Sequence, residues 1–77
     1  MNPMEALRYM PRKNDVLMEP STGSYATVDE DVEKNTHVRL IWSDHRTPEN
    51  VKTPIARIRG SLIAERLILV RKHDEGR

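Results

Sequence analysis

The sequence predicts a mainly β domain, a small barrel of about five strands with a short helical turn at its N-terminus. Three observations carry this. Residues 15–19 (DVLME) and 23–28 (GSYATV) alternate in polarity on either side of a turn-forming PSTG at 20–23. Residues 37–42 (HVRLIW) alternate more strongly still, and residues 66–71 (RLILVR) supply a short, aliphatic closing strand.

At the N-terminus, Asn2 is a candidate helix cap, Pro3 fits the first helical position, and Glu5 stands three residues after the cap. The residue before Pro11 is pushed out of the helical region, so the helix ends by there. In the hairpin that follows, Val16 and Met18 fall on one side of the first strand and Leu17 on the other. On the second strand Ala26 and Val28 share one face, and Tyr25 and Thr27 the other. Residues 29–36 (DEDVEKNT) form a solvated acidic loop. In the third strand Val38, Leu40 and Trp42 share a face opposite Arg39 and Ile41, and SDHRTPEN makes the next turn.

Residues 54–72 admit two readings. Pro54 argues against a central strand, and Gly60 with Ser61 marks a break. A helix over 62–70 would align Ile63, Leu67 and Val70. A strand would set Leu67 and Leu69 opposite Ile68 and Val70, and the aliphatic content and short length favour it near 66–71. The ordered unit then covers residues 12–72 of a single domain, with flexible ends at 1–11 and 73–77.

At 77 residues, with 36% apolar and 32% charged side chains and no Phe, the chain has a lean core. Stabilisation by a partner or by self-association fits such a composition. The absence of cysteine excludes disulfides and thiolate metal sites. No stretch approaches the roughly 20 apolar residues of a membrane span, and residues 1–13 lack the apolar run of a leader, so a soluble, cytoplasmic protein is expected. His37, His45 and His73 show no helical pairing, and Asp44 beside His45 is a neighbour in sequence whose side chain points elsewhere. Three scattered glycines supply no phosphate-binding loop. No catalytic residue, cofactor or metal is called for.

The charge is unevenly distributed. Residues 1–36 carry four basic and seven acidic side chains, a balance of −3, whereas residues 37–77 carry nine and five, a balance of +4. Arg39, Lys52, Arg57, Arg59, Arg66 and Arg71 are therefore the candidate contacts for a polyanion, with Arg57 and Arg59 on one face if that segment is a strand. Salt bridging and solvation account for the same residues without a ligand. Of the aromatics, Trp42 shares its face with core residues, while Tyr25 shares a half-polar face with Thr27 and is the better contact candidate.

The succession KNDVLM, GSYATV, THVRLIWSDHRTPENV and a following isoleucine resembles the Tudor-type members of the SH3-like small-barrel superfamily over roughly residues 12–58. The resemblance implies a binding module in which Tyr25 and Trp42 would be walls of an aromatic cage for a methylated cation. The chain departs from the family at the other cage positions. His45 stands where a further ring would be, Met18 and Glu19 precede the first turn, and Thr47 falls near the family asparagine.

These readings lead to a non-enzymatic accessory or regulatory module that contacts nucleic-acid phosphates through a basic C-terminal face. The alternative is a protein-binding adaptor or inhibitor of a larger complex using Tyr25, Trp42, His45 and the acidic loop at 29–33. A homodimer through Ile63, Leu67 and Val70 is a third reading.

Overall fold

The structure, a computed structural model, describes residues 2–31, 36–48 and 51–71, and of Arg71 the backbone alone. Glu33 of the acidic loop and the tail from Lys72 onward lie outside the described residues. The chain opens with α1 (Pro3–Arg8), capped as its sequence predicts: the Asn2 carboxamide oxygen accepts the Glu5 N–H at 2.8 Å. The helix ends at Arg8, three residues before Pro11, because Tyr9 is already extended.

Strands β1 (Val16–Glu19) and β2 (Ser24–Val28) form the expected antiparallel hairpin, with Leu17 opposite Ala26 and Met18 opposite Tyr25. Its turn closes on the Glu19 carbonyl, which accepts the N–H groups of Thr22 and Gly23, and Gly23 takes the left-handed conformation (φ +75°) that glycine adopts without a Cβ clash.

The third strand read from the sequence is divided. Val38 belongs to β3 (His37–Val38) and Leu40 to β4 (Leu40–Trp42), and Arg39 carries the chain from one sheet to the other. Strand β4 pairs with β2, whereas β3 pairs with β5 (Thr53–Pro54). Pro54 sits at the end of a two-residue strand, where its missing N–H costs nothing in a ladder.

The main correction concerns residues 55–63. They form helix α2 (Ile55–Ile63), so Arg57 and Arg59 do not share a strand face. The apolar residues Ile55, Ile58 and Leu62, at i, i+3 and i+7, are all buried on one stripe. Gly60 lies inside the helix at a cost of roughly 1 kcal/mol relative to alanine. Burying a side chain such as Ile58 contributes about 1.5–3 kcal/mol, which outweighs that cost. The helix ends where Glu65, at φ +60°, takes the left-handed position usually held by glycine, and the Arg66 N–H donates to the Ser61 carbonyl at 2.8 Å.

Strand β6 (Ile68–Arg71) follows, as read from the sequence, and pairs antiparallel with β1. The register shifts by one residue opposite Val16 and Leu17, leaving Val70 as the extra residue of β6. Ile63, Leu67 and Val70 therefore form no helical stripe: one ends α2, one is buried in the turn, and one lies on β6.

The result is a four-stranded antiparallel sheet in the order β4-β2-β1-β6 and a two-stranded sheet β3-β5, with α1 packed on α2. Among the described residues the two sheets do not close into a barrel. The core joins Leu17, Ala26, Val28 and Leu40 of the large sheet to Ile55, Ile58 and Leu62 of α2. Residues 1–11 were placed outside the ordered unit by the sequence reading, yet Ala6, Tyr9 and Pro11 are buried with that core.

Candidate functional site

The pleat decides which side chains the large sheet offers to solvent. Leu17, Ala26, Val28 and Leu40 point to the core, so their neighbours in sequence point outward. The pairing aligns those neighbours in two rows. One runs Ile41, Thr27, Val16 across β4, β2 and β1; the other runs Tyr25, Met18, Ile68 across β2, β1 and β6. Tyr25 is 48% exposed, Ile41 49% and Ile68 45%, with Val70, also exposed, beside them. The first row continues from Val16 to Arg71 on β6, whereas the row Tyr25, Met18, Ile68 carries no charge.

Trp42 pairs with Ala26, so it and Tyr25, one residue away, occupy opposite faces of the sheet. The register thus separates the two rings, in keeping with the alternation that groups Tyr25 with Thr27 and Trp42 with Val38 and Leu40. Trp42 packs against the core on one side. Its ring is covered on another by the chain's own guanidinium, with Arg46 Cζ 3.9 Å from the ring centroid.

The Arg46 guanidinium is held there by two carboxylates. Nη1 and Nη2 donate to the two Glu19 oxygens at 3.0 and 2.9 Å, and Nε donates to Asp44 at 2.9 and 3.0 Å. Thr22 and Ser24 complete the cluster by donating to Glu19 and Asp44 at 2.7 and 3.1 Å. Hydrogen bonds from Arg46 hold the Asp44 carboxyl down at about 2 and lower that of Glu19, and both carboxylates keep the Arg46 guanidinium firmly protonated. Asp44 is thus engaged by Arg46 and Ser24. His45 takes the left-handed conformation (φ +55°) and borders a shallow hollow of about 310 Å³ beside Ile41, Arg39 and Thr47.

This cluster has a pH signature. Both carboxyls are depressed, so the stabilisation they supply is complete above their ordinary values of 4.5 and 3.8 and is lost as pH falls through the lowered ones. Trp42 is the one tryptophan, so its fluorescence reports the event. Arg46→Ala is expected to red-shift the emission and raise acrylamide quenching at neutral pH with little loss of stability. The parent protein is expected to reach the same spectrum only as pH approaches 2. An emission that ignores both changes would mean that Arg46 does not shield the ring.

Three of the candidate basic residues, Arg39, Lys52 and Arg59, are engaged within the fold. Arg39 pairs with Asp29 at 3.0 Å and Lys52 with Glu30 at 3.0 Å, so the acidic segment that unbalances the first half neutralises part of the second. The Lys52 ammonium in turn lowers the Glu30 carboxyl. Arg59 Nε donates to the Tyr9 carbonyl at 2.9 Å and ties α2 to the end of α1. Arg57 and Arg66 share a groove, of about 320 Å³, with Arg46, Thr53 and Ser61 on its walls. Arg71 ends β6, and its side chain lies outside the described residues.

Among the described residues no group of three or more His, Cys, Asp or Glu is placed to hold a metal ion, and no helix is long and apolar enough to cross a membrane. The apolar outer face was the feature missed by the sequence reading, although the grouping of Met18 with Val16 in the alternation carried the signal. No family model, curated protein or solved structure matches the chain.

Proposed function

We propose that this chain is a non-enzymatic protein-binding module that docks through the outer face of its four-stranded sheet. The observation that carries the reading is the uncharged row Tyr25, Met18, Ile68, with Ile41 on the same outer face and Tyr25, Ile41 and Ile68 each about half exposed. An exposed apolar patch of this kind marks interaction surfaces, and tyrosine is among the residues that most often dominate them. The engagement of Asp44 by Arg46 supports a role without acid–base chemistry. The finer kinship, a Tudor-like or SH3-like small barrel, belongs to the same proposal. It is supported by the β1–β2 hairpin and by the change of sheet at Arg39. A cytoplasmic setting belongs to the same proposal.

A second reading, binding of nucleic-acid phosphates, draws on Arg57 and Arg66, which share a groove and form no ion pair among the described residues. One experiment separates the two. Immobilised protein is used to capture partners, and Tyr25→Asp and Ile41→Lys are compared with the double variant Arg57→Ala/Arg66→Ala, all checked for folding by circular dichroism. The face variants are expected to weaken capture roughly 30-fold, as loss of a 2 kcal/mol contact would, and the arginine variant to leave it unchanged. The reverse pattern, with salt-sensitive binding of an oligonucleotide, would replace the first reading by the second.

A further inference from the structure

We infer that the groove between α2 and the turn after β4 binds a small organic phosphate monoester, held by Arg57, Arg66 and the Ser61 hydroxyl. The inference is independent of the face-on contact, because Leu40 and Trp42, which line this groove, lie on the opposite side of the sheet from Tyr25 and Ile41. It takes the same two arginines as the nucleic-acid reading and gives them a single phosphate in place of a backbone.

The fold brings these donors together in two steps. Arg57 and Ser61 stand four residues apart on α2, so they share a helix face beside the buried Ile58. The Arg66 N–H then donates to the Ser61 carbonyl at 2.8 Å, which returns the chain after the helix to the same place. Arg57, Ser61 and Arg66 thereby line one groove of about 320 Å³, with Trp42 and Leu67 in its apolar lining.

Neither Arg57 nor Arg66 forms an ion pair or a side-chain hydrogen bond among the described residues, and the Ser61 hydroxyl forms no hydrogen bond there. The other charged residues on the walls, Glu19 and Arg46, hold each other through two hydrogen bonds at 2.9 and 3.0 Å, so Glu19 is not a counter-ion for the arginine pair. A phosphate monoester presents three terminal oxygens, enough to accept from two guanidinium groups and a hydroxyl at once. A nucleic-acid backbone is held by a track of cations, whereas Arg39, Lys52 and Arg59 are engaged elsewhere and leave one local site. The groove also lies at the lower end of the range for small-molecule sites, about 300–1,000 Å³. That size suits a compact ester whose apolar body rests on Trp42 and Leu67.

The test is titration of the full chain with phenyl phosphate, followed by calorimetry and by the emission of Trp42. Saturable one-to-one binding with a Kd of about 1 mM or tighter is expected for a ligand of this size, and inorganic phosphate, without the apolar body, should compete more weakly. Arg57→Gln and Arg66→Gln should each weaken binding about tenfold, as loss of a charge-assisted hydrogen bond would, and Ser61→Ala about threefold. Both arginines are exposed, and circular dichroism verifies that the variants fold. Tyr25→Asp should leave phenyl phosphate binding unchanged, so failure of this inference and failure of the sheet-face reading are separable. Absence of saturable binding, or arginine variants that bind as the parent does, would overturn the inference. An oligonucleotide that displaces phenyl phosphate with an affinity growing with its length would overturn it in favour of the nucleic-acid reading. A phosphotyrosine peptide that binds far more tightly than phenyl phosphate would overturn the small-molecule assignment.

Discussion

Leu17→Ala is expected to destabilise the protein by about 3 kcal/mol, near the middle of the range for removing a buried leucine side chain. Leu17 is wholly buried in a central strand, with Ala26 opposite it on β2 and Leu69 on β6. The small Ala26 and the β-sheet backbone leave little that can collapse into the space. A chain of 77 residues is stable by only about 4–12 kcal/mol in total, so this one truncation removes a quarter or more of the margin. Urea unfolding should show a lower midpoint with an unchanged slope. Met18→Ala, one residue along and on the outer face, should cost less than about 1 kcal/mol. Equal costs for the two variants would mean that the assignment of faces to β1 is wrong.

That contrast between Leu17 and Met18 is also where the sequence was most informative. Period-two alternation separates the faces of a strand: it grouped Ala26 with Val28 and Val38 with Leu40, all buried, and set Leu17 apart from Val16 and Met18 without saying which side is core. Alternation carries no information about which strand lies alongside, and the division of residues 37–42 between two sheets at Arg39 was therefore not legible. Helix α2 failed for a different reason. Ile55, Ile58 and Leu62 have helical spacing, but Ile-rich content and the Gly60-Ser61 pair are local signals for strand and break. Tertiary burial of three side chains overrides a local preference of about 1 kcal/mol.

For the candidate site, summed charge misled where spacing could not help. The −3 and +4 halves are opposed along the chain, yet Asp29 lies against Arg39 and Glu30 against Lys52. The Glu19–Arg46 contact spans 27 positions and exists only because the β1–β2 turn is folded beside the turn after β4. Tyr25 and Trp42 were separable from the sequence, because their strand faces differ; the cover that Arg46 places over the Trp42 ring was not. The apolar outer face follows from the same pairing, since Tyr25, Met18 and Ile68 are far apart in the chain and become neighbours only in the register of three strands.

The second large effect is expected at the junction of α1 with the hairpin. Asp15 is 2% exposed, and its Oδ2 accepts the Tyr9 hydroxyl at 2.7 Å and the Arg12 N–H at 3.1 Å. Its backbone also holds the end of the hairpin, with the Val28 N–H donating to its carbonyl at 2.9 Å. Asp15→Ala leaves the Tyr9 hydroxyl and the Arg12 N–H without their acceptor and is expected to cost about 3 kcal/mol; Tyr9→Phe should cost about 2 kcal/mol. The double variant should cost less than the sum by about 1 kcal/mol or more, because the second substitution removes a group already orphaned by the first. The same pair predicts an alkaline limit. Burial, then the hydrogen bond to Asp15 and its charge, push the Tyr9 phenol well above its ordinary value of 10.0. The unfolded chain therefore releases that proton first, and stability present below pH 10 should decline above it by up to about 1.4 kcal/mol per pH unit. Unfolding measured from pH 8 to 11 should show this decline in the parent protein and a weaker one in Tyr9→Phe. Identical slopes would show that the buried phenol does not set the alkaline limit.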